Sequence, residues 1–102
     1  MAIMVQYDFR PIPGKKLAAL VENCQVAANI WKKHGAKPSL WTVGVGEVGN
    51  MSFTVSFATY SEYGKCLDAV TMDPEFRAWQ ARNTESGNAE WVRSNLLREM
   101  QL

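Results

Sequence analysis

His34 is the single histidine of the sequence and the natural candidate for a general base or a haem ligand. It follows Lys32 and Lys33 and precedes Gly35, at what reads as a helix end, where cations suit the macrodipole. A capping role is therefore the competing reading, because no partner that would orient the ring is visible in the sequence. Trp31, Trp41, Trp79 and Trp91 are many tryptophans for 102 residues. They could wall a pocket for a planar aromatic substrate, or serve as core and interface residues. Asp8, Arg10, Arg93 and Asn95 are polar residues inside strand patterns. They could polarise a substrate oxygen in a cavity, or pair across neighbouring strands, with Asp8 and Arg93 a natural couple if the first and last strands are adjacent. One histidine with two well-separated cysteines does not make metal-ligand spacing, and no serine–histidine arrangement can be argued.

The stretch GVGEVG, residues 44–49, has the G-x-G-x-x-G spacing of a dinucleotide loop. Such a loop must run from a strand into a helix whose N-terminus faces the pyrophosphate. Here a strand follows instead. Met51, Phe53, Val55 and Phe57 alternate with Ser52, Thr54, Ser56 and Ala58 over residues 51–58. Residues 39–48 read as the strand before it, and Gly49-Asn50 as a two-residue hairpin turn. That turn would set Val48 against Met51, Gly46 against Phe53 and Gly44 against Val55, the large side chains covering bare glycine backbone.

The remaining elements follow from period. Ile3, Val5, Tyr7 and Phe9 alternate with Met4, Gln6, Asp8 and Arg10, which predicts a strand over residues 2–10, ended by Pro11-Ile12-Pro13-Gly14. Leu17, Leu20, Val21, Cys24, Ala27, Ala28 and Trp31 lie on one face of a helix over 15–34, with Gly35 closing it. Trp31 is the most structural of the four tryptophans on this pattern. Tyr63, Cys66, Leu67 and Val70 predict a helix over 59–72, capped by Thr59 or Ser61. Asp73-Pro74-Glu75 opens a short further helix with Phe76 and Trp79 on its apolar side, followed by a polar loop at 83–88. Residues 89–101 fit both periods, and a strand is favoured because it completes a known topology.

The order is then β-α-β-β-α-β, the split βαβ or ferredoxin-like α+β arrangement, with both helices on one face of a four-stranded antiparallel sheet. The register above gives one sheet face Leu40, Thr42, Met51, Phe53, Val55 and Phe57, and the other Trp41, Val43 and Val45 with Ser52, Thr54 and Ser56. Both look apolar enough to need a cover, and the pattern leaves open which one meets the helices. A second copy of the chain is the simplest second cover.

Composition narrows the class. The length fits a single domain over 1–102. A net charge of +1 gives no field to attract nucleic acid or an anionic membrane. No apolar run is long enough to span a bilayer, and the opening residues show no signal peptide. Cys24 and Cys66 fall on apolar helix faces and read as buried thiols of a reducing compartment, with a disulfide the lesser alternative. Asn50-Met51-Ser52 matches a glycosylation acceptor that would then be idle.

Three segments carry a more specific resemblance: Pro13-Gly14-Lys15 at the first helix, FTVSFATYSEYGKCLDAV over 53–70, and Asp73-Pro74-Glu75-Phe76. In these and in its layout the chain resembles the dimeric α/β-barrel superfamily, and within it the NIPSNAP-like and antibiotic-biosynthesis-monooxygenase-like groups. The resemblance implies two sheets packed face to face, a cavity between sheet and helices in each subunit, and relatives that include cofactor-independent oxygenases, isomerases and haem-binding enzymes. It transfers no catalytic residue set to this chain.

The expectation is a cytoplasmic homodimer joined through the sheet face, without a cofactor, that binds a small apolar or aromatic molecule. Trp41, Trp79, Trp91, Arg93 and Asn95 are the candidate ligand-binding residues and His34 the candidate catalytic one. The alternative is a cofactor-independent monooxygenase acting on an aromatic or polyketide-like compound. A third reading, an RNA-recognition module, shares the element order. However, NMSFTVSF lacks the basic residue and glycine of the expected motif, and neither nucleic acid nor membrane is an expected partner.

Overall fold

A computed structural model describes residues 2–102. The chain runs β1 (Ile3–Pro11), α1 (Leu17–Lys33), β2 (Lys37–Thr42), β3 (Met51–Phe57), α2 (Tyr60–Met72), α3 (Pro74–Ser86) and β4 (Ala89–Arg98). The four strands form one antiparallel sheet in the order β2-β3-β1-β4. This is the ferredoxin-like α+β topology, and 89–98 is indeed a strand. β4 pairs along β1 from Ile3↔Arg98 to Pro11↔Ala89, with a bulge between Asp8 and Phe9.

The helices begin and end where local chemistry directs. The Thr59 hydroxyl accepts the Glu62 N–H at 3.1 Å and starts α2, so Thr59 and not Ser61 is the cap. The Asp73 carboxylate accepts the Glu75 N–H at 2.9 Å and starts α3, with Pro74 in the first turn. α3 is longer than the sequence suggests: it continues through Ser86, absorbing most of the expected polar loop, until Gly87 turns left-handed at φ +60°.

The helices cover the face of the sheet that carries Val5, Phe53, Val55 and Phe57. These pack with Cys24, Ala27, Ile30 and Trp31 of α1 and with Cys66 and Val70 of α2. Val55 and Val70 have no exposed surface, and burying side chains of this size contributes roughly 2 kcal/mol each. Ile30, outside the face expected from spacing, is buried with them, whereas Leu17 and Val21 of that face remain largely exposed. Both cysteines are free and buried in this core.

Two expectations about the central hairpin fail. β2 ends at Thr42, and residues 43–50 form a loop in place of a two-residue turn. Thr42, not Val48, stands opposite Met51, and Leu40, not Gly46, stands opposite Phe53. Gly46 and Gly49 adopt φ of +100° and +93°, which a strand cannot hold. The loop is closed by its own bonds, Val43 N–H to Asn50 O at 2.9 Å and Asn50 N–H to Glu47 O at 3.1 Å. Its Val45 and Val48 point to solvent and are not part of a sheet face. In consequence the open face is mainly polar. Beside Trp41, Met4 and Leu97 it carries Gln6, Asp8, Ser52, Thr54, Arg93 and Asn95.

Candidate functional site

The residues singled out from the sequence separate into three places. The first is a groove between α3 and β4. α3 leans on α1 and α2 and leaves the sheet edge beneath it uncovered. The bulge in β4 matters here: it puts Trp91 opposite Phe9, on the helix side, while Arg93 two residues later stands opposite Asp8 on the open side. Trp79 of α3 and Trp91 of β4 therefore line one groove of about 800 Å³, with Gln80, Asn83, Thr84 and Glu85 as its polar rim. Trp79 is held firmly. Its indole N–H donates to the Asn23 carbonyl of α1 at 2.8 Å, and its ring stacks on Phe76 at 5.6 Å. The aromatic series continues inward from Phe76 to Trp31 and on to Tyr7, at 6.4 and 6.3 Å. Burial pushes the Tyr7 phenol up to about 12, so it stays protonated at neutral pH. Trp91, by contrast, is 69% exposed.

A second, smaller cleft of about 150 Å³ lies between α1 and β2, where Val21, Cys24, Ala28, Leu40 and Phe53 meet. Burial raises the Cys24 thiol to about 11, which leaves it a neutral apolar lining group and not a nucleophile.

The second place is the open sheet face, which holds Trp41, Arg93 and Asn95. The Trp41 indole N–H donates to the Thr54 hydroxyl at 2.9 Å. Asn95 donates to Gln6 at 3.4 Å. Arg93 lies 3.9 Å from Asp8, the couple expected from strand order, but its shorter bond is to Glu47 at 3.1 Å. Glu47 also accepts from Arg10 at 3.3 Å and from Asn50 at 2.9 Å. It pins the glycine loop over the end of the open face. Sequence reasoning missed Glu47 because its partners lie 37 and 46 residues away. The Ser52 hydroxyl on this face is buried and has no hydrogen-bond partner among the described residues.

The third place is the junction of α1 and α3, where His34 sits. Its Nε2 lies 2.7 Å from Asp73 Oδ2, and the Lys33 ammonium reaches the same oxygen at 2.7 Å. Lys33, His34 and the Glu75 N–H together hold the Asp73 carboxyl well below the usual carboxylate range. The same contact raises the Lys33 ammonium. His34 thus has the orienting carboxylate that the sequence did not reveal, because Asp73 reads there as a cap and nothing more. The structure does not bring His34 together with the tryptophans lining the groove. Among the described residues, no group of three His, Cys, Asp or Glu side chains is placed to hold a metal ion.

No family model matches the sequence, and no curated protein matches it. Solved structures do match over nearly the whole chain. A NIPSNAP domain protein from Burkholderia xenovorans superposes with a TM-score of 0.74 at 19% identity, covering 98% of this chain and 95% of that one. SnoaB, a cofactor-independent oxygenase from Streptomyces nogalater, gives 0.71 at 9% identity, with 99% and 95% covered. A NIPSNAP-family protein from Agrobacterium tumefaciens gives 0.70 at 10% identity, with 94% and 84% covered. The chain has the ferredoxin-like fold shared by these NIPSNAP-domain proteins and this cofactor-independent oxygenase. Identities this low carry the fold and leave the chemistry to the residues of this chain.

Proposed function

We propose that this protein is a cytoplasmic homodimer, one domain per chain, that binds a small apolar or aromatic molecule in the groove between α3 and β4. The observation that carries the reading is that Trp79 and Trp91 line the same open groove, with a polar rim. The buried free thiols fit a reducing compartment. The shape of the chain supports the dimer. It measures 41 × 36 × 17 Å, a flat slab with one bare sheet face. Its accessible surface is 6830 Å². A compact monomer of this mass exposes roughly 5,800 Å². The excess, roughly 1,000 Å², exceeds the roughly 800 Å² that each partner buries in a standard interface.

Titration with a planar polycyclic aromatic compound, followed by tryptophan fluorescence, tests the site. Saturable quenching is expected, with affinity about tenfold weaker in Trp91→Ala. Unchanged affinity in a folded Trp91→Ala protein would remove the groove from the account.

A second reading, a cofactor-independent oxygenase, is favoured by one observation, the 2.7 Å contact of His34 with Asp73. A carboxylate-oriented imidazole is what a base needs to deprotonate a phenolic or polyketide-like substrate. Oxygen uptake with such a substrate, abolished in His34→Gln, would raise this reading above simple binding. The RNA-recognition reading is not retained, since Phe53 and Phe57 are buried under the helices, away from the open face where bases would stack.

A further inference from the structure

The groove between α3 and β4 is one-sided in charge. Glu85 is the single charged residue that lines it, beside the neutral Gln80, Asn83 and Thr84. Arg77 and Arg82 of the same helix lie outside the lining. Glu85 makes no ion pair among the described residues. Glu90, the residue before Trp91, is by contrast already paired with Arg10 at 3.2 Å. Glu85 also sits in the last turn of α3, which ends at Ser86 and holds no basic residue. The carbonyl end of a helix carries partial negative charge and favours a lysine or arginine there. α3 places an acid instead, so two negative sources add at one end of the groove. A local rule broken without compensation from the chain is a mark of a functional site.

The aromatic walls match that charge. The Trp79 N–H is taken by the Asn23 carbonyl at 2.8 Å, so its ring offers the groove π-surface and no polar handle. Trp91 is 69% exposed and has no aromatic neighbour among the described residues. The face of an indole ring is negative and attracts a cation more strongly than any other aromatic side chain does. We propose that the groove takes a small organic cation, a quaternary or N-alkylated ammonium with an apolar body. The rings of Trp79 and Trp91 and the Glu85 carboxylate attract its charge. The inference rests on the groove reading above and names the charge of the ligand. An anion would meet Glu85 and the helix end with no lysine, arginine or histidine in the lining to offset them.

Phenyltrimethylammonium and its uncharged isostere tert-butylbenzene test this. Binding to the full chain is followed through the indole N–H signals of Trp79 and Trp91 in nitrogen–proton correlation spectra. The cation is expected to shift both signals saturably and to bind about tenfold tighter than the isostere. Glu85→Gln is expected to cut that ratio about threefold, and added salt to lower it in the native protein. Equal affinities for the two probes, with both indole signals shifted, would overturn the cation and leave the groove reading intact. A ratio that Glu85→Gln leaves unchanged would overturn the part given to Glu85. Indole signals that neither probe shifts would overturn both inferences.

Discussion

β3 shows two proteins in one strand. Met51, Phe53, Val55 and Phe57 face the helices and are all buried. Ser52, Thr54 and Ser56 face the other way, on the side that the helices leave uncovered, yet Ser52 and Thr54 are only 6% and 2% exposed. On the first side, burial is apolar and self-sufficient. On the second, small polar side chains sit between larger neighbours, Trp41 shields Thr54, and the Ser52 hydroxyl lacks a partner. The helix side is thus built for stability, while the open side is polar and leaves one buried hydroxyl without a partner among the described residues.

That contrast can be broken or sharpened by substitution. The largest effect is expected on the helix side: Phe53→Ala should cost about 3–5 kcal/mol in urea denaturation through lost transfer energy and a residual cavity. A cost below that of an exposed residue would mean the core is wrongly placed. At the junction that locks α1 to α3, Asp73→Asn should change acid tolerance. Asp73 holds its partners as a carboxylate, so its folded-state pKa is depressed. The stability it contributes is complete above the unfolded carboxyl value of about 4 and is lost as pH falls below it. The native protein's melting temperature should therefore fall more steeply on acidification than that of Asp73→Asn, and parallel curves would show the junction to be energetically silent. On the open side, Trp41→Ala should leave the chain folded but weaken the proposed dimer by about tenfold, read by sedimentation. An unchanged association constant would take this face out of the interface. The smallest effect is expected from Ser52→Ala, within about 1 kcal/mol of neutral and on the stabilising side, because it removes an unpaired buried hydroxyl. A loss greater than that would reveal a partner for Ser52 in the assembled protein.

Much of this architecture could be read from the chain itself. Period two in β1 and β3, period 3.6 in α1 and α2, and the Asp73-Pro74-Glu75 start depend on neighbours within a few residues, and they survive in the structure with small shifts of boundary. The hairpin did not, because the glycines that look like bare strand positions are needed at positive φ in a loop, and Glu47 holds that loop through arginines far along the chain. The tryptophans were recognisable as candidates, but their grouping was not. A single bulge in β4 reverses Trp91 relative to Arg93 and sends one to the groove and the other to the open face.

By itself, then, the sequence determined β1, α1, β3, α2 and the start of α3, their order, and the fold that order allows, since periodicity and capping act locally. Only the tertiary structure decided which sheet face the helices cover, that His34 meets Asp73, and that Trp79 and Trp91 line one groove. Each of those depends on register, bulge and helix placement, which are set by packing between residues distant in the chain.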